Sequence, residues 1–175
     1  MLQTRIKSTI KDVPNFPKEG IVFKDITPLL LDSQLSKDIT EAFVEHAQSL
    51  EIDMICGLES RGFLFGNSIA QALGVPFVLI RKQGKLPRET ETFAYDLEYG
   101  SAVVEVHRED IPKGSRVLIH DDLLATGGTA FAAASLIQKL EAEVVGFSFI
   151  IELSFLNGKD RILPFSQNIC ALVTY

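Results

Sequence analysis

His120-Asp-Asp-Leu-Leu-Ala-Thr-Gly-Gly-Thr129 is the stretch on which the reading of this 175-residue chain turns. It follows the apolar run Val117-Leu118-Ile119 and leads into an alanine-rich segment with helical spacing from Thr129 to Leu140. Glycines at the mouth of a helix leave backbone N–H groups free, and the helix dipole there favours an anion such as a phosphate. Asp121 and Asp122 would repel that anion, but carboxylates accept hydrogen bonds from hydroxyls. Phosphate donors beside hydroxyl acceptors describe a ribose-phosphate site. A Walker A loop would need a lysine beside its closing Ser/Thr, and a dinucleotide fingerprint would need G-x-G-x-x-G; the chain has neither. An ordinary turn accounts for Gly127 and Gly128 through backbone angles alone, but not for the carboxylates and threonines around them.

The patterns on either side of this motif set the fold. Leu2, Ile6 and Ile10 recur at helical spacing, and Leu35, Ile39, Phe43, Ala47 and Leu50 mark one face of a longer helix. Between them, Pro14 to Asp25 is punctuated by Pro and Gly and reads as a loop. Met54–Leu58 is a buried strand, Gly62–Leu73 a helix closed by Gly74, and Val75–Ile80 the next strand. Arg81 to Glu98 carries Gly, Pro and many charges with weak periodicity, the mark of a long functional loop. Further strands are expected at Ala102–His107, Arg116–Ile119 and Val144–Ile151, with Ile169–Val173 as an edge strand. Alternation of this kind predicts βαβ units and an α/β fold: a mainly parallel twisted sheet flanked by helices, in a single domain. Ligands of such sheets lie at the carboxyl ends of the strands, which singles out the loops after Leu58, Ile80 and Ile119.

Bulk properties narrow the class. A hydrophobic content of 46% with 23% charged residues is that of an ordinary globular protein. The net charge of −6 argues against general nucleic-acid or acidic-membrane binding, though local Arg and Lys can still hold a small anion. Cys56 and Cys170 lie in apolar runs without framework spacing, as free thiols in a reducing cytoplasm would. MLQTRIKSTIKD at the N-terminus has no apolar h-region, and no apolar stretch approaches the roughly 20 residues of a membrane span. No His/Cys cluster has zinc-ligand spacing.

Three segments together carry a resemblance: GLESRGFLFG (Gly57–Gly66), GKLPRET (Gly84–Thr90) and HDDLLATGGT. They resemble the type I phosphoribosyltransferases, and with DLEYG (Asp96–Gly100) the likeness narrows to the adenine phosphoribosyltransferase family. It runs from Phe16 to about Leu153. The resemblance implies the type I phosphoribosyltransferase fold with a small N-terminal hood of about residues 1–30. It implies transfer of a ribose 5-phosphate from 5-phosphoribosyl 1-pyrophosphate to adenine, giving AMP and pyrophosphate in purine salvage. It also implies Mg²⁺, held mainly through the substrate with no direct protein ligand, and a homodimer.

The same resemblance assigns roles. Ala125, Thr126, Gly127, Gly128 and Thr129 would hold the 5′-phosphate. Asp121 and Asp122 would face the ribose hydroxyls and stabilise the positive charge that grows at C1 as pyrophosphate leaves. Glu59, Ser60, Arg61, Arg81 and Lys85 would form the pyrophosphate side, with Arg61 also in the catalytic set; Lys82 and Arg88 read equally well as solvated charges. A cis peptide between Glu59 and Ser60 is implied as well. Glu98 and Tyr99 match the catalytic pair beside the attacking base, the glutamate serving adenine N7, a role that needs a carboxyl raised by burial.

Phe23 would stack on the purine, a contact worth about 1–3 kcal/mol, while main-chain groups of Val22 and Lys24 read its amino edge and Leu153 packs the other face. Lys24 stands where some members have arginine. His120 stands where the family often has an aliphatic residue, and reads as a packed, hydrogen-bonded histidine. Two alternatives stay open: a related enzyme using hypoxanthine, guanine or xanthine, and a regulator that senses the sugar pyrophosphate. GKLPRET and Glu98 argue against the regulator.

Overall fold

A computed structural model describes residues 1–96 and 101–175, in two units, Met1–Ala42 and Phe43–Tyr175. In the first, the Leu2/Ile6/Ile10 spacing produces α1 (Leu2–Thr9), which buries Ile6. β1 (Lys11–Pro14) and β2 (Val22–Asp25) pair antiparallel with Val13 opposite Phe23. The loop expected over residues 14–25 is therefore shorter, since the β-forming Val22-Phe23 pair extends the hairpin. Its turn contains a cis Phe16–Pro17 bond. α2 (Ser33–Gln48) starts in this unit, where Asp32 Oδ1 accepts from the Leu35 N–H at 2.9 Å as an N-cap. Leu35, Ile39, Phe43 and Ala47 are buried as the periodicity predicts.

The second unit is built on β3 (Met54–Leu58), buried along its whole length. α3 (Gly62–Leu73) follows and ends at Gly74, whose φ of 69° is the left-handed closing geometry. β4 (Phe77–Lys82), β5 (Thr90–Asp96), β6 (Ser101–His107) and β7 (Arg116–Leu124) come next. α4 (Gly128–Lys139), β8 (Glu143–Glu152), the short α5 (Gly158–Ile162) and β9 (Ile169–Thr174) complete the chain. Seven strands form one sheet in the order β5-β6-β4-β3-β7-β8-β9. β4, β3, β7, β8 and β9 run parallel, whereas β6 and β5 are antiparallel additions. The mainly parallel sheet and the edge position of Ile169–Val173 are as expected.

Two further boundaries that bear on the site differ from the sequence reading. Residues 90–96 are a strand rather than part of a long loop: Thr90–Asp96 pairs with β6 over its whole length, with Phe93 opposite Val104. The alternation Glu91, Phe93, Tyr95 was masked by the Gly, Pro and charges just before it. β7 also runs five residues past Ile119, so both aspartates sit on the strand itself, Asp121 opposite Phe149. The apolar backs of α4, including Ala132, Ala133, Leu136 and Ile137, pack in one core with Cys56, Ile119 and Phe147. Cys56 is a buried free thiol and Cys170 a half-buried one. Among the described residues, no helix is long and apolar enough to cross a membrane.

Candidate active site

The carboxyl ends of β3, β4 and β7 meet at a cavity of about 430 Å³. β3 contributes the turn Glu59, Ser60 and Arg61, β4 contributes Lys82, and β7 contributes Asp121, Asp122 and Leu123; Thr129 closes the wall. A second cavity of about 100 Å³ is formed by Asp121 and the run Leu123 to Ala130, and shares Asp121, Leu123 and Thr129 with the first. The chain beyond Leu58, Ile80 and Ile119 thus converges at the carboxyl end of the sheet, as a parallel sheet predicts, with Lys82 and both aspartates still on their strands.

The Ala125–Thr129 loop is shaped by two glycines. Gly127 has φ 76°, a left-handed conformation, and a Cβ there would lie 2.5 Å from the Gly158 carbonyl oxygen. Gly158 opens α5 and is itself packed against the Ala125 carbonyl, so the C-terminal turn braces the loop. α4 then starts at Gly128, presenting its N-terminus at the smaller cavity. On the other side, Gly62 lets α3 approach β7: a Cβ there would meet the His120 carbonyl oxygen at 2.8 Å and Asp121 Oδ1 at 3.0 Å.

Charges on the wall are paired. Arg61 Nε donates to Asp122 Oδ2 at 2.5 Å, and Asp122 is 4% exposed. Asp121 accepts from the Asp122 N–H at 2.8 Å. Burial, followed by the neighbouring Asp122 charge, pushes the Asp121 carboxyl well above its ordinary value, with Arg61 acting the other way. Burial alone would raise Glu59 too, but the Arg81 guanidinium and the Lys82 N–H outweigh it and hold the carboxyl below its usual range. Those bonds are 2.9 Å from Arg81 Nη2 and 2.7 Å from the Lys82 N–H. The Glu59–Ser60 peptide is cis, as the resemblance implied.

The cations divide differently from the sequence reading. Lys82, read there as no better than a solvated charge, lines the large cavity. Arg81 is turned onto Glu59 and donates to the Lys85 carbonyl at 3.2 Å, while the Lys85 side chain belongs to an exposed residue. Arg88 is held by Asp110 at 2.7 Å and lies 2.8 Å from His107 Nδ1. The turn after β4 is set by Glu105, 3% exposed, whose Oε1 accepts from the N–H groups of Lys85 and Leu86 at 2.8 Å each. No motif flagged Glu105, which alternates with Val103 and His107 rather than with the core residues Val104 and Val106.

His120 is fully buried, with Nδ1 2.8 Å from Ser148 Oγ and its ring edge-on to Phe43 at 5.0 Å. Burial lowers it to about 3, so it is neutral at ordinary pH and packs rather than titrates. Leu153 is half-buried just beyond β8, its N–H donating to the Leu124 carbonyl at 2.9 Å. Val22, Phe23 and Lys24 lie on β2 in the first unit; the Phe23 ring meets Phe16 edge-on at 5.1 Å, and Lys24 Nζ bonds Asp12 at 2.7 Å. Glu98 and Tyr99 lie outside the described residues.

Comparison with known proteins adds to this geometry. The family described as phosphoribosyl transferase domain matches residues 29–162. An adenine phosphoribosyltransferase from Cytophaga hutchinsonii is 50% identical over 175 residues, covering 100% of this chain and 97% of its own. The crystal structure of adenine phosphoribosyltransferase from Thermoanaerobacter pseudethanolicus superposes with a TM-score of 0.95 at 43% identity, covering 99% of each chain. The Saccharomyces cerevisiae adenine phosphoribosyltransferase, solved with an imino-altritol bisphosphate and adenine, gives a TM-score of 0.92 at 42% identity over 98% of each chain.

Proposed function

The chain belongs to the type I phosphoribosyltransferase family, and from that membership we propose a chemistry for its site. It is an adenine phosphoribosyltransferase, a pentosyltransferase that joins adenine to the ribose 5-phosphate of 5-phosphoribosyl 1-pyrophosphate and releases AMP and pyrophosphate. The observation that carries this reading is the single cavity in which Arg61 and Lys82, the Asp121–Asp122 pair and Thr129 come together. A sugar carrying phosphate at one end and pyrophosphate at the other needs those three chemistries side by side.

In this reading the 5′-phosphate sits on Ala125–Thr129, where backbone N–H groups and hydroxyls face an anion at the start of α4. Asp121 and Asp122 accept from the ribose hydroxyls and stabilise the cationic C1 centre while its bond to pyrophosphate breaks and its bond to adenine N9 forms. Glu59 and Ser60 shape the pyrophosphate wall, and Arg61, Lys82, Arg81 and Lys85 neutralise the departing anion. Phe23 stacks on adenine, the main chain of Val22 and Lys24 reads its amino edge, and Leu153 packs its far face. Glu98, beside Tyr99, hydrogen-bonds or exchanges a proton at N7 as N9 attacks.

The donor set fits Mg²⁺. Mg²⁺ binds through one or two carboxylates plus substrate oxygens, and a divalent cation would offset both the burial and the neighbouring Asp122 charge that raise Asp121. It would be held mainly by the sugar pyrophosphate, with Asp121 and Asp122 the carboxylates available on that wall, and would neutralise charge on the leaving group. The proposal includes a cytoplasmic homodimer acting in purine salvage, with residues 1–175 as one phosphoribosyltransferase domain whose hood is about residues 1–30. Incubation with the sugar pyrophosphate and each purine in turn, with and without Mg²⁺, tests it. AMP from adenine in the Mg²⁺ arm is expected; IMP or GMP with no AMP would overturn it.

A further inference from the structure

β5 docks along α4 through one face. Glu91, Phe93 and Tyr95 alternate on that face, and they meet α4 from its last residue to its first turn. Glu91 Oε1 bonds Lys139 Nζ at 2.6 Å, and the Phe93 ring lies edge-on to Phe131 at 6.3 Å. Tyr95 reaches the phosphate loop itself: its hydroxyl lies 3.4 Å from Thr129 Oγ1, and a Cβ on Gly128 would sit 3.7 Å from its ring. Phenylalanine would satisfy the packing equally well, so the hydroxyl at this place needs its own reason.

We propose that Tyr95 is a positioning residue for the 5′-phosphate, directing the Thr129 hydroxyl into the site. This rests on the assignment of Ala125–Thr129 as the phosphate loop. A threonine hydroxyl has one proton to give and two lone pairs to offer. If Thr129 donates to Tyr95, an incoming phosphate meets only lone pairs. If Tyr95 donates to Thr129, the threonine proton is left for the phosphate, and each bond in the chain polarises the next. A phosphate oxygen without a proton can only accept, so its arrival fixes the order Tyr95 to Thr129 to phosphate. At 3.4 Å the pair is long for two hydroxyls, and gains strength only when the threonine proton is committed elsewhere. Tyr95 therefore discriminates for the phosphorylated end of the sugar without touching it.

The test is titration calorimetry of Tyr95→Phe with ribose 5-phosphate and, separately, with pyrophosphate, repeated in Thr129→Val and Thr129→Ser backgrounds. Loss of one hydrogen bond weakens ribose 5-phosphate binding about 3- to 10-fold, leaves pyrophosphate binding unchanged, and raises KM for the sugar pyrophosphate more than it lowers kcat. The effect persists with Thr129→Ser and disappears with Thr129→Val. Unchanged ribose 5-phosphate binding in Tyr95→Phe, alongside a loss in Thr129→Val, overturns the proposal and leaves the phosphate loop standing. Equal weakening of both ligands overturns it in favour of a packing role. Unchanged binding in Thr129→Val overturns the loop assignment, and the proposal with it.

Discussion

Arg61 and Asp122 form an ion pair across the site, Nε to Oδ2 at 2.5 Å, between the turn after β3 and the last residues of β7. The partners are unequal: the Asp122 side chain is 6% exposed and that of Arg61 41%. The pair therefore fixes Arg61, the cation proposed for the pyrophosphate, against the carboxylates proposed for the ribose. A pyrophosphate competing for Arg61 would loosen its hold on Asp122 and free that carboxylate for the sugar.

Arg61→Ala should cost both stability and catalysis. It leaves Asp122 buried beside another carboxylate with a lost charge-assisted bond, worth roughly 1–3 kcal/mol after allowing for solvent around Arg61. Denaturant unfolding should show that loss, and steady-state kinetics a fall in kcat/KM for the sugar pyrophosphate of at least about 10-fold. Normal kinetics with lowered stability would assign the arginine to structure alone.

Asp121 gives a pH signature. Its carboxyl is raised in the folded chain by burial and by Asp122, so the native state holds a proton that the unfolded state has released. Stability then falls as pH climbs from the ordinary aspartate value to the raised one. Asp121→Asn removes that slope, so the variant should melt higher than wild type at neutral pH, converge with it in acid, and turn over more slowly. Parallel melting curves at every pH would show that Asp121 carries no such strain.

Glu105 behaves oppositely. Burial would raise it, but the N–H groups of Leu86, Gly84 and Lys85 outweigh burial and hold the carboxyl below its usual range. Its contribution is complete above the ordinary glutamate value and is lost as pH falls through the lowered one. Glu105→Ala orphans those donors and should cost about 2–4 kcal/mol, with faster amide exchange at residues 84–86; Glu105→Gln, which keeps an acceptor oxygen, should lose less. The gap to Glu105→Gln should close in acid, and the gap to Glu105→Ala should narrow but persist, because a protonated carboxyl still accepts from the N–H groups. Unaltered exchange in Glu105→Ala would sever Glu105 from the turn.

Gly127→Ala should disturb the loop through both its φ of 76° and the Gly158 carbonyl 2.5 Å away. A loss above about 1 kcal/mol is expected, together with weaker AMP binding by calorimetry. Wild-type affinity would mean that this loop does not carry the phosphate.

The parts of the fold that sequence made legible are those with one dominant signal. Met54–Leu58 is apolar throughout and became a strand buried at every position; Gly74 closed α3 in the left-handed geometry. HDDLLATGGT marked the strand-to-helix turn, but not that both aspartates belong to β7, because acidic residues lower any strand reading. The strand at 90–96 went unread because cationic turn and paired strand fell in one window. Sequence favoured Lys85 over Lys82 for the pyrophosphate side, but which of them faces the cavity depends on β4 ending at Lys82 and on Glu105 turning the chain behind it. Gly158 bracing Gly127 is a contact across some thirty residues that local pattern cannot carry. Tyr95 needed β5 to be docked on α4 before its hydroxyl acquired a partner.

The most direct measurement is a competition in one vessel: limiting 5-phosphoribosyl 1-pyrophosphate and Mg²⁺ with equal adenine, hypoxanthine and guanine, followed by chromatography of nucleotides and assay of pyrophosphate. AMP and pyrophosphate should appear one for one until the sugar is consumed, with IMP and GMP at trace level. IMP or GMP as the main product, or pyrophosphate release without any nucleotide, would contradict the account.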